Sequence, residues 1–441
     1  MPSALAACIR RFVSAGHHEL RALALAFACN FVLLGGYYIL RPVRDTMATV
    51  LGVSQLPTLY TGTLLLTLAC APLYGWVTTR LRLARVVPGL FWFWVLNILA
   101  FAALFAAAPG SRWVATAYFW WFSVCNLFMV SMFWSLMADL FTPLQATRLF
   151  AAIAAGGSLG AIVGPLVTRL LAGLAGVEGL LLAAAAAFVV VSSMIQLLVR
   201  EKARLQADHA ETQGSTLDHE LAGNPFDGFG ALFRSGYVVN QALFIMLMTW
   251  VATVAYFLQT DVIGRAFTDI GRRTQAIADI DLVVNIWSAL VLVFGTGRVI
   301  TRFGVTAGLV LNPLLMLGSF LAVALSPTVL VLQGIQVLRR VAQYAIARPS
   351  REICFTVMPQ VSRYRTKNVI DTVVYRVGDV SAAWMQALLA VLGFGLAGSV
   401  GLGLLSSGLW GGVAVALGRR YERLRGEQGG RGDREGLENR A

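Results

Sequence analysis

The stretches GWVTTRL, residues 75–81, and GRVITRF, residues 297–303, carry the same pattern, G-x-V-x-T-R followed by leucine or phenylalanine. Each copy follows an apolar run, and the two copies lie 222 positions apart. The same offset places Gly156 on Gly378, both within later apolar runs. A signature repeated at a fixed spacing indicates an internal repeat, so we predict that the chain consists of two similar halves.

The composition is that of a membrane protein. Of the 441 residues, 58% are hydrophobic and 13% are charged, and the mean hydropathy is +0.72. Apolar segments of about 20 residues, each long enough to cross a bilayer, recur along the chain, and they do not alternate as barrel strands do. We therefore expect an all-α membrane protein with twelve transmembrane helices. The predicted ranges are 22–50, 56–77, 86–108, 112–137, 149–173, 177–199, 237–260, 280–297, 305–326, 328–349, 369–393 and 398–418.

A polar segment divides the apolar runs into six and six. It contains both charge signs and is typical of a cytoplasmic linker, and the Gly- and charge-rich end of the chain has a composition that favours disorder. The predicted domains are a first six-helix half, the linker, a second six-helix half and a disordered cytoplasmic tail, at 1–199, 200–236, 237–418 and 419–441. Two parallel six-helix repeats joined by a polar loop resemble the major facilitator-type fold, in which the substrate site lies between the halves near the bilayer midplane.

The net charge of +13 follows a topological pattern. With the N-terminus inside, 25 of the 35 lysines and arginines fall on the cytoplasmic side and seven on the other. This is the positive-inside bias, so we expect a multi-pass protein of the inner (plasma) membrane with both termini cytoplasmic and the first helix retained. Because topology accounts for the basic charge, we expect the lipid bilayer, and no nucleic acid, as its partner.

The sequence offers no motif for a metal or a cofactor. Its five cysteines are isolated, without a C-x-x-C pair, and its four histidines form no cluster; both patterns argue against a metal or disulfide framework. A Gly-rich phosphate loop is also missing from the sequence. We therefore expect no metal, no cofactor and no enzymatic activity.

Three charged residues, Arg41, Arg44 and Asp45, follow the first apolar run. Their spacing of i, i+3 and i+4 places them on one face of a helix. If the first helix continues across them to residue 50, it is about 43 Å long, and Pro42 is expected to kink it and turn this face toward a wet cavity. In the alternative, the helix ends at Leu40 and an interfacial arginine–aspartate pair stabilises a loop. The apolar pattern resumes afterwards without a turn, which favours the cavity.

The predicted eleventh helix also carries charge. Asp371, Tyr375 and Asp379 follow one another at steps of four, and Arg376 precedes Asp379 by three, so we expect these four residues on one helical face. Ionisable groups at membrane depth are costly and mark functional sites. Two interpretations stay open, since Arg376 either binds an anionic substrate while Asp379 balances its charge, or forms a structural salt bridge with it.

Two adjacent arginines, Arg339 and Arg340, lie well inside the tenth apolar run. Adjacent helical residues point about 100° apart, so at most one of the two can face a cavity directly. We favour Arg340 for that position and expect the other arginine to bind a neighbouring helix or a lipid headgroup.

The fifth apolar run contains a ridge of small residues. Gly156, Gly160 and Gly164 follow the pattern G-xxx-G-xxx-G, which lets another helix backbone approach closely. We therefore expect this ridge to serve helix packing, with a hinge near Pro165 as the alternative.

Three segments together carry a family resemblance: YYILRPVRD at 37–45, FWSLMADLFTPLQATRLFAAIAAGGSLGAIVG at 133–164, and RTKNVIDTVVYRVGDVSAAW at 365–384. They resemble the ATP/ADP translocase family of plastids and obligate intracellular bacteria, and more closely the bacterial transporters related to that family. The resemblance implies a branch of the major facilitator fold. It also implies that Leu40, Arg41, Arg44 and Asp45 reproduce the family's phosphate-binding L-R-x-x-K-D motif with arginine for lysine, and arginine suits phosphate well.

Three positions depart from that family pattern. The acidic residues of the fourth and seventh helices fall on Phe122 and near Ala255, and the lysine of the eleventh helix falls on Asp379. Arg376 lies one turn from Asp379 and is a candidate substitute. Because Asp379 repels a highly charged triphosphate, the resemblance implies the fold and an anionic substrate more strongly than it implies ATP/ADP exchange.

These observations predict a secondary transporter that moves an anionic, nucleotide-like solute by alternating access. Arg44 and Arg376 are the expected anion contacts, and we expect the chain to act as a monomer. The repeated loops at Gly75, Arg80, Gly297 and Arg302 are the expected gates; the first also resembles the helix 2–3 loop motif of the major facilitator superfamily. The alternative is a transport-inactive membrane scaffold or sensor that retains the fold.

Overall fold

The computed structural model describes residues 19–80, 83–208, 235–358, 366–367 and 369–438. Within these ranges the chain is helical and contains no strand, as predicted. In chain order the helices are α1 Glu19–Leu51, α2 Leu56–Arg80, α3 Leu83–Ala107, α4 Arg112–Leu140, α5 143–175, α6 177–208, α7 Gly236–Ala266, α8 Ile270–Phe294, α9 Thr296–Leu325, α10 329–354, α11 369–391 and α12 Gly395–Glu438. The predicted all-α fold with twelve helices is confirmed. In the described residues, eight helical stretches are long and apolar enough to cross a membrane.

Helices α5 and α6 are the two arms of one helical stretch, Pro143–Asp208. Thr142 and Gln145 start it with reciprocal side-chain-to-backbone hydrogen bonds, which is the capping box that T-x-x-Q sequences form. Gly176 separates the arms with φ 63° and ψ −165°, a left-handed conformation that glycine adopts without a Cβ clash. One glycine thus turns a continuous apolar run into two spans.

Helix α1 continues through the charged stretch. It has 33 residues, or about 50 Å of helix, so the alternative in which it ends at Leu40 does not hold. Pro42 lacks the N–H that would bond to the carbonyl of Tyr38. The Thr168 hydroxyl lies 3.4 Å from that carbonyl oxygen and 3.1 Å from the carbonyl oxygen of Gly164 on its own helix, so its one proton is shared between the two.

The glycine ridge of α5 packs on the backbone of α1. A Cβ added to Gly156, Gly160 or Gly164 would meet the carbonyl oxygens of Phe27, Phe31 and Gly35 in turn. No larger side chain fits at this contact, so the glycines set the distance between the two helices.

The internal repeat extends to this packing. Gly156 of α5 abuts Phe27 of α1, and Gly378 of α11 abuts Thr249 of α7. Both members of the second pair lie 222 positions after the first. The contact of α11 with α7 therefore repeats the contact of α5 with α1, which supports two related halves.

The two repeated motifs are helical where the sequence suggested loops. The first copy continues α2 as far as Arg80, whose side chain lies outside the described part, as does residue 81. The second copy, with Gly297 and Arg302, forms the first turns of α9 and ends at Gly304, which has φ 82°. Neither copy contains a helix breaker, and a glycine with positive φ is a common helix end, so the predicted gating loops are helix ends.

Two helices are longer than predicted. Helix α6 reaches Asp208, into the predicted linker, of which residues 209–234 lie outside the described ranges. Helix α12 reaches Glu438, which differs from the disordered tail expected from residue 419. Its extension is held by contacts, since Tyr421 is buried and Arg420 donates to the carbonyl of Gly236.

The chain forms two compact units, which comprise residues 1–52, 65–218 and 267–285 (unit 1) and residues 53–64, 219–266 and 286–441 (unit 2). Their make-up differs from the predicted halves because the first part of α8 belongs to unit 1 and the first part of α2 to unit 2. The core of unit 1 includes stacked Phe91 and Phe188, and that of unit 2 includes Phe244 packed edge-on against Trp410.

Candidate functional site

The charged stretch of α1 pairs the guanidinium of Arg44 with the carboxylate of Asp45. Arg44 Nε and Nη2 donate to Asp45 Oδ1 at 2.9 and 2.5 Å. The Arg44 side chain is 19% exposed and that of Asp45 only 7%. Arg44 is therefore a partly accessible cation that already holds one carboxylate.

Aromatic rings surround this cation. The Arg44 Cζ atom lies 5.4 Å from the ring centroid of Phe119 and 5.7 Å from that of Phe122, both on α4. Tyr37 of α1 stacks on Phe122 with centroids 5.4 Å apart. Phe122 stands where the resemblance places an acidic residue, so at this position an aromatic ring, and not a carboxylate, contacts Arg44.

The second arginine of the stretch faces a residue that sequence reasoning missed. Arg41 Nη1 lies 3.5 Å from Asp281 Oδ1 on α8, and the Asp281 side chain is fully buried. An acidic residue within an apolar run marks a functional candidate, and this rule applied to α8 would have found it. The pair buries a carboxylate beside the proposed anion contact.

A row of polar contacts attaches the first part of α8 to the rest of unit 1. Thr274 Oγ1 lies 2.9 Å from Thr46 Oγ1 of α1, and Arg273 Nη1 donates to the carbonyl of Thr49 at 3.2 Å. Further along, Asn285 Nδ2 donates to the carbonyl of Ala161 on α5 at 2.6 Å. These bonds, with the Arg41 ion pair, attach the first part of α8 to α1 and α5 beside the charged stretch.

Unit 2 carries an arginine–carboxylate pair on α11. Arg376 Nη1 lies 3.7 Å from Asp379 Oδ2, and Thr253 of α7 donates to Asp379 Oδ1 at 3.2 Å. The close approach at Gly378, where a Cβ would meet Thr249, brings this part of α11 against α7. The two interpretations of Arg376 stay open, since the pair exists and Arg376 remains 18% exposed.

The expectation that all four polar residues of α11 form one cluster is not met. A π-helical turn, Ile370–Val374, opens α11 and contains Asp371, so Asp371 is out of phase with the α-helical residues that follow. Asp371 consequently pairs with Arg351 of α10, with 2.6 Å between Nη1 and Oδ1, rather than with Arg376. Tyr375 lines the cavity beside this second pair.

The adjacent arginines of α10 have different surroundings. Arg339 donates to Gln336 Oε1 at 2.9 Å and to Gln343 Oε1 at 3.1 Å, both on its own helix. Gln336 in turn donates to the carbonyl of Ala255, where the resemblance places an acidic residue. Arg340, which we favoured for a cavity, is 5% exposed and lies 6.0 Å from the ring centroid of Tyr344. The structure therefore shows Arg340 as a buried cation beside an aromatic ring.

We also searched the described residues for a metal site and for a serine-hydrolase motif. Among the described residues no group of three or more histidines, cysteines or acidic residues could hold a metal ion, and the four described cysteines are free, while Cys8 lies outside them. The stretch GGSLG at 156–160 matches the serine-hydrolase pattern G-x-S-x-G, but it lies inside helix α5. That motif requires a strand-to-helix turn, so Ser158 is not a nucleophile of this type.

Long apolar helices and a packing contact repeated 222 positions apart are features of a multi-pass membrane protein built from two related halves. The chain belongs to the Major Facilitator Superfamily, whose model matches residues 26–342. It is therefore a multi-pass membrane protein and a secondary transporter of the major facilitator type.

Proteins similar to this chain in sequence or structure include a carrier and two transporters. ADP,ATP carrier protein 2 of Chlamydia trachomatis is 27% identical over 218 residues, which are 44% of this chain and 40% of that protein. The nucleoside transporter NupG has a similar structure, with a TM-score of 0.61 and 15% identity over 93% of this chain and 99% of that one. A bacterial homologue of the iron transporter ferroportin, in an inward-facing state, gives a TM-score of 0.65 at 15% identity over 90% and 99%. At these identities the two structural comparisons show the fold.

Proposed function

We propose that this transporter moves an anionic, nucleotide-like solute by alternating access. The observation that carries the proposal is Arg44, a partly exposed guanidinium lying against the rings of Phe119 and Phe122. A nucleotide needs a cation for its phosphate, and the Arg44 guanidinium offers one. The rings of Phe119 and Phe122 pack against that guanidinium and are themselves buried. The partial match to an ADP,ATP carrier and the fold shared with a nucleoside transporter support the solute class.

The charge balance favours a solute of low charge. Arg41, Arg44 and Arg376 each lie beside a carboxylate, so the anion must share or displace that partner. A triphosphate gains less from such compensated arginines than from free cations. We therefore favour a nucleoside monophosphate or a similarly charged anion over ATP.

The membrane orientation forms part of the proposal. The distribution of basic residues supports an orientation with both termini on the cytoplasmic side; we propose that the membrane is the inner (plasma) membrane and that one chain suffices for transport. Arg80 and Arg302, at the ends of the two repeated motifs, would then act at the cytoplasmic gates together with Gly75 and Gly297. Arg376, Asp379, Tyr375 and Arg340 are the proposed contributions of unit 2 to solute binding.

Uptake into liposomes tests the proposal. Purified protein would be reconstituted and screened with labelled nucleoside mono-, di- and triphosphates, nucleosides, phosphate and other organic anions. We expect saturable uptake of a nucleotide, reduced at least about tenfold by Arg44→Ala, because a charged hydrogen-bond donor is lost. The matched control is Arg265→Ala, an arginine that is 80% exposed and pairs with Asp261, and it should leave uptake unchanged.

Two results would count against the proposal. Full uptake in Arg44→Ala would remove Arg44 from the site while leaving transport in place. If no anion in the panel is bound or moved, the alternative of a transport-inactive scaffold or sensor gains.

A further inference from the structure

Two π-helical turns of unit 2 line one cavity. The first turn, Gln343–Ala347, interrupts α10, and the second, Ile370–Val374, opens α11. Residues of both turns, together with residues of α7, enclose a cavity of about 260 Å³. π turns are rare and occur often at functional sites, so the meeting of two of them at one cavity suggests a binding role.

The cavity has an excess of positive charge. Its charged lining residues are Arg348, Arg351 and Asp371. Arg351 Nη1 and Nη2 lie 2.6 and 3.5 Å from the two carboxylate oxygens of Asp371. Arg351 Nη2 also lies 3.2 Å from Glu352 Oε1, and Lys367 Nζ donates to Glu352 Oε2 at 2.6 Å, so these two cations and two carboxylates offset each other. The Arg348 side chain is exposed and makes no hydrogen bond or ion pair with the rest of the described chain. One cation in the cavity is thus left for a ligand.

Neutral donors complete the lining. The hydroxyls of Tyr344 and Tyr375 and the amide of Gln343 belong to residues that line the cavity. The amide oxygen of Gln343 already accepts from Arg339, which leaves its NH2 group as the donor. Guanidinium, hydroxyl and amide donors are the groups that bind tetrahedral oxyanions.

We propose that this cavity binds a phosphate-type oxyanion through Arg348 and Arg351, with Asp371 as the counter-ion that the anion displaces from Arg351. The volume lies just below the range of pockets for drug-sized ligands, so a phosphoryl group fits inside it. The oxyanion is either a phosphoryl group of the transported solute or free inorganic phosphate. Only the first source rests on the proposed function.

Calorimetric titration of the purified, full-length protein with inorganic phosphate, at constant ionic strength, tests this site. We expect Arg348→Gln to weaken phosphate binding about tenfold, the loss of one charged donor. Asp371→Asn should strengthen it several-fold, since a competing charge is removed. The matched control, Arg298→Gln, changes another exposed arginine of unit 2, whose side chain donates to the carbonyl of Phe294 at the end of α8, and should leave binding unchanged.

The inference is overturned if Arg348→Gln binds phosphate like the unchanged protein, or if Asp371→Asn weakens binding while the variant stays folded, as checked by its melting temperature. Competition distinguishes the two sources of the oxyanion. Displacement of phosphate by a nucleoside monophosphate identifies the solute's phosphoryl group, and simultaneous binding identifies free phosphate. Full uptake in Arg44→Ala together with lost phosphate binding in Arg348→Gln would refute the proposed solute site and leave this cavity standing.

Discussion

Gly160→Ala is expected to destabilise the protein by about 3 kcal/mol, at the upper end of what overpacking costs. A Cβ at this position would meet the Phe31 carbonyl and the Gly35 nitrogen of α1. Backbone atoms cannot rotate away as a side chain can, so the two helices must separate. Their separation would also disturb the neighbouring contacts at Gly156 and Gly164. The melting temperature of the purified protein measures the effect.

The control for this prediction is Gly412→Ala in α12. A Cβ there has nothing within 4 Å, and alanine favours a helix over glycine by about 1 kcal/mol. This variant should melt at the same temperature as the unchanged protein or slightly higher. Equal melting temperatures for Gly160→Ala and Gly412→Ala would show that the α1–α5 contact does not set the stability of unit 1.

Breaking the Arg41–Asp281 pair is expected to have a similarly large effect. Arg41→Met removes the arginine beside the fully buried Asp281 carboxylate, and breaking a buried ion pair by removing one partner costs about 3–5 kcal/mol. The double variant Arg41→Met with Asp281→Leu removes both charges and should recover most of that loss. Melting temperatures of the two single variants and the double variant, combined as a double-mutant cycle, give the coupling energy.

A second ion pair on α8 serves as the matched control. Arg169 and Asp279 lie 3.3 Å apart, but their side chains are 56% and 43% exposed. Exposed pairs contribute about 0–1 kcal/mol, so the same cycle at this pair should give a coupling energy below about 1 kcal/mol. Equal coupling at both pairs would contradict the claim that burial makes the Arg41 pair strong.

The Arg44–Asp45 and Arg41–Asp281 pairs also bear on the transport proposal. An anion that binds Arg44 meets a guanidinium already held by Asp45, and the neighbouring Arg41 is held by Asp281 of α8. Because the first part of α8 contacts α1 through this pair and the threonine contact at Thr274, an anion that disturbed the arginines would weaken the attachment of α8 to α1. Solute binding and helix movement would then be coupled by charge.

Features of the fold that depend on local pattern could be predicted from the sequence alone. The lengths of the apolar runs predicted the helices, and the spacing of 222 residues predicted a repeat that reappears in the packing of Gly156 and Gly378. The continuation of α1 through Arg41, Arg44 and Asp45 also followed from pattern alone. Helical periodicity relates residues three or four positions apart, so these features needed no knowledge of distant partners.

The contacts between residues of different helices could not be predicted from local pattern. Asp281 lies 240 positions after Arg41, and nothing in local periodicity links them. Asp371 was expected beside Arg376, but a π turn rotates it toward Arg351. Such contacts depend on how whole helices pack, since the energy of a buried charge is set by the partner that packing brings to it. The sequence therefore supplied the helices and their charged faces, and packing supplied the pairs.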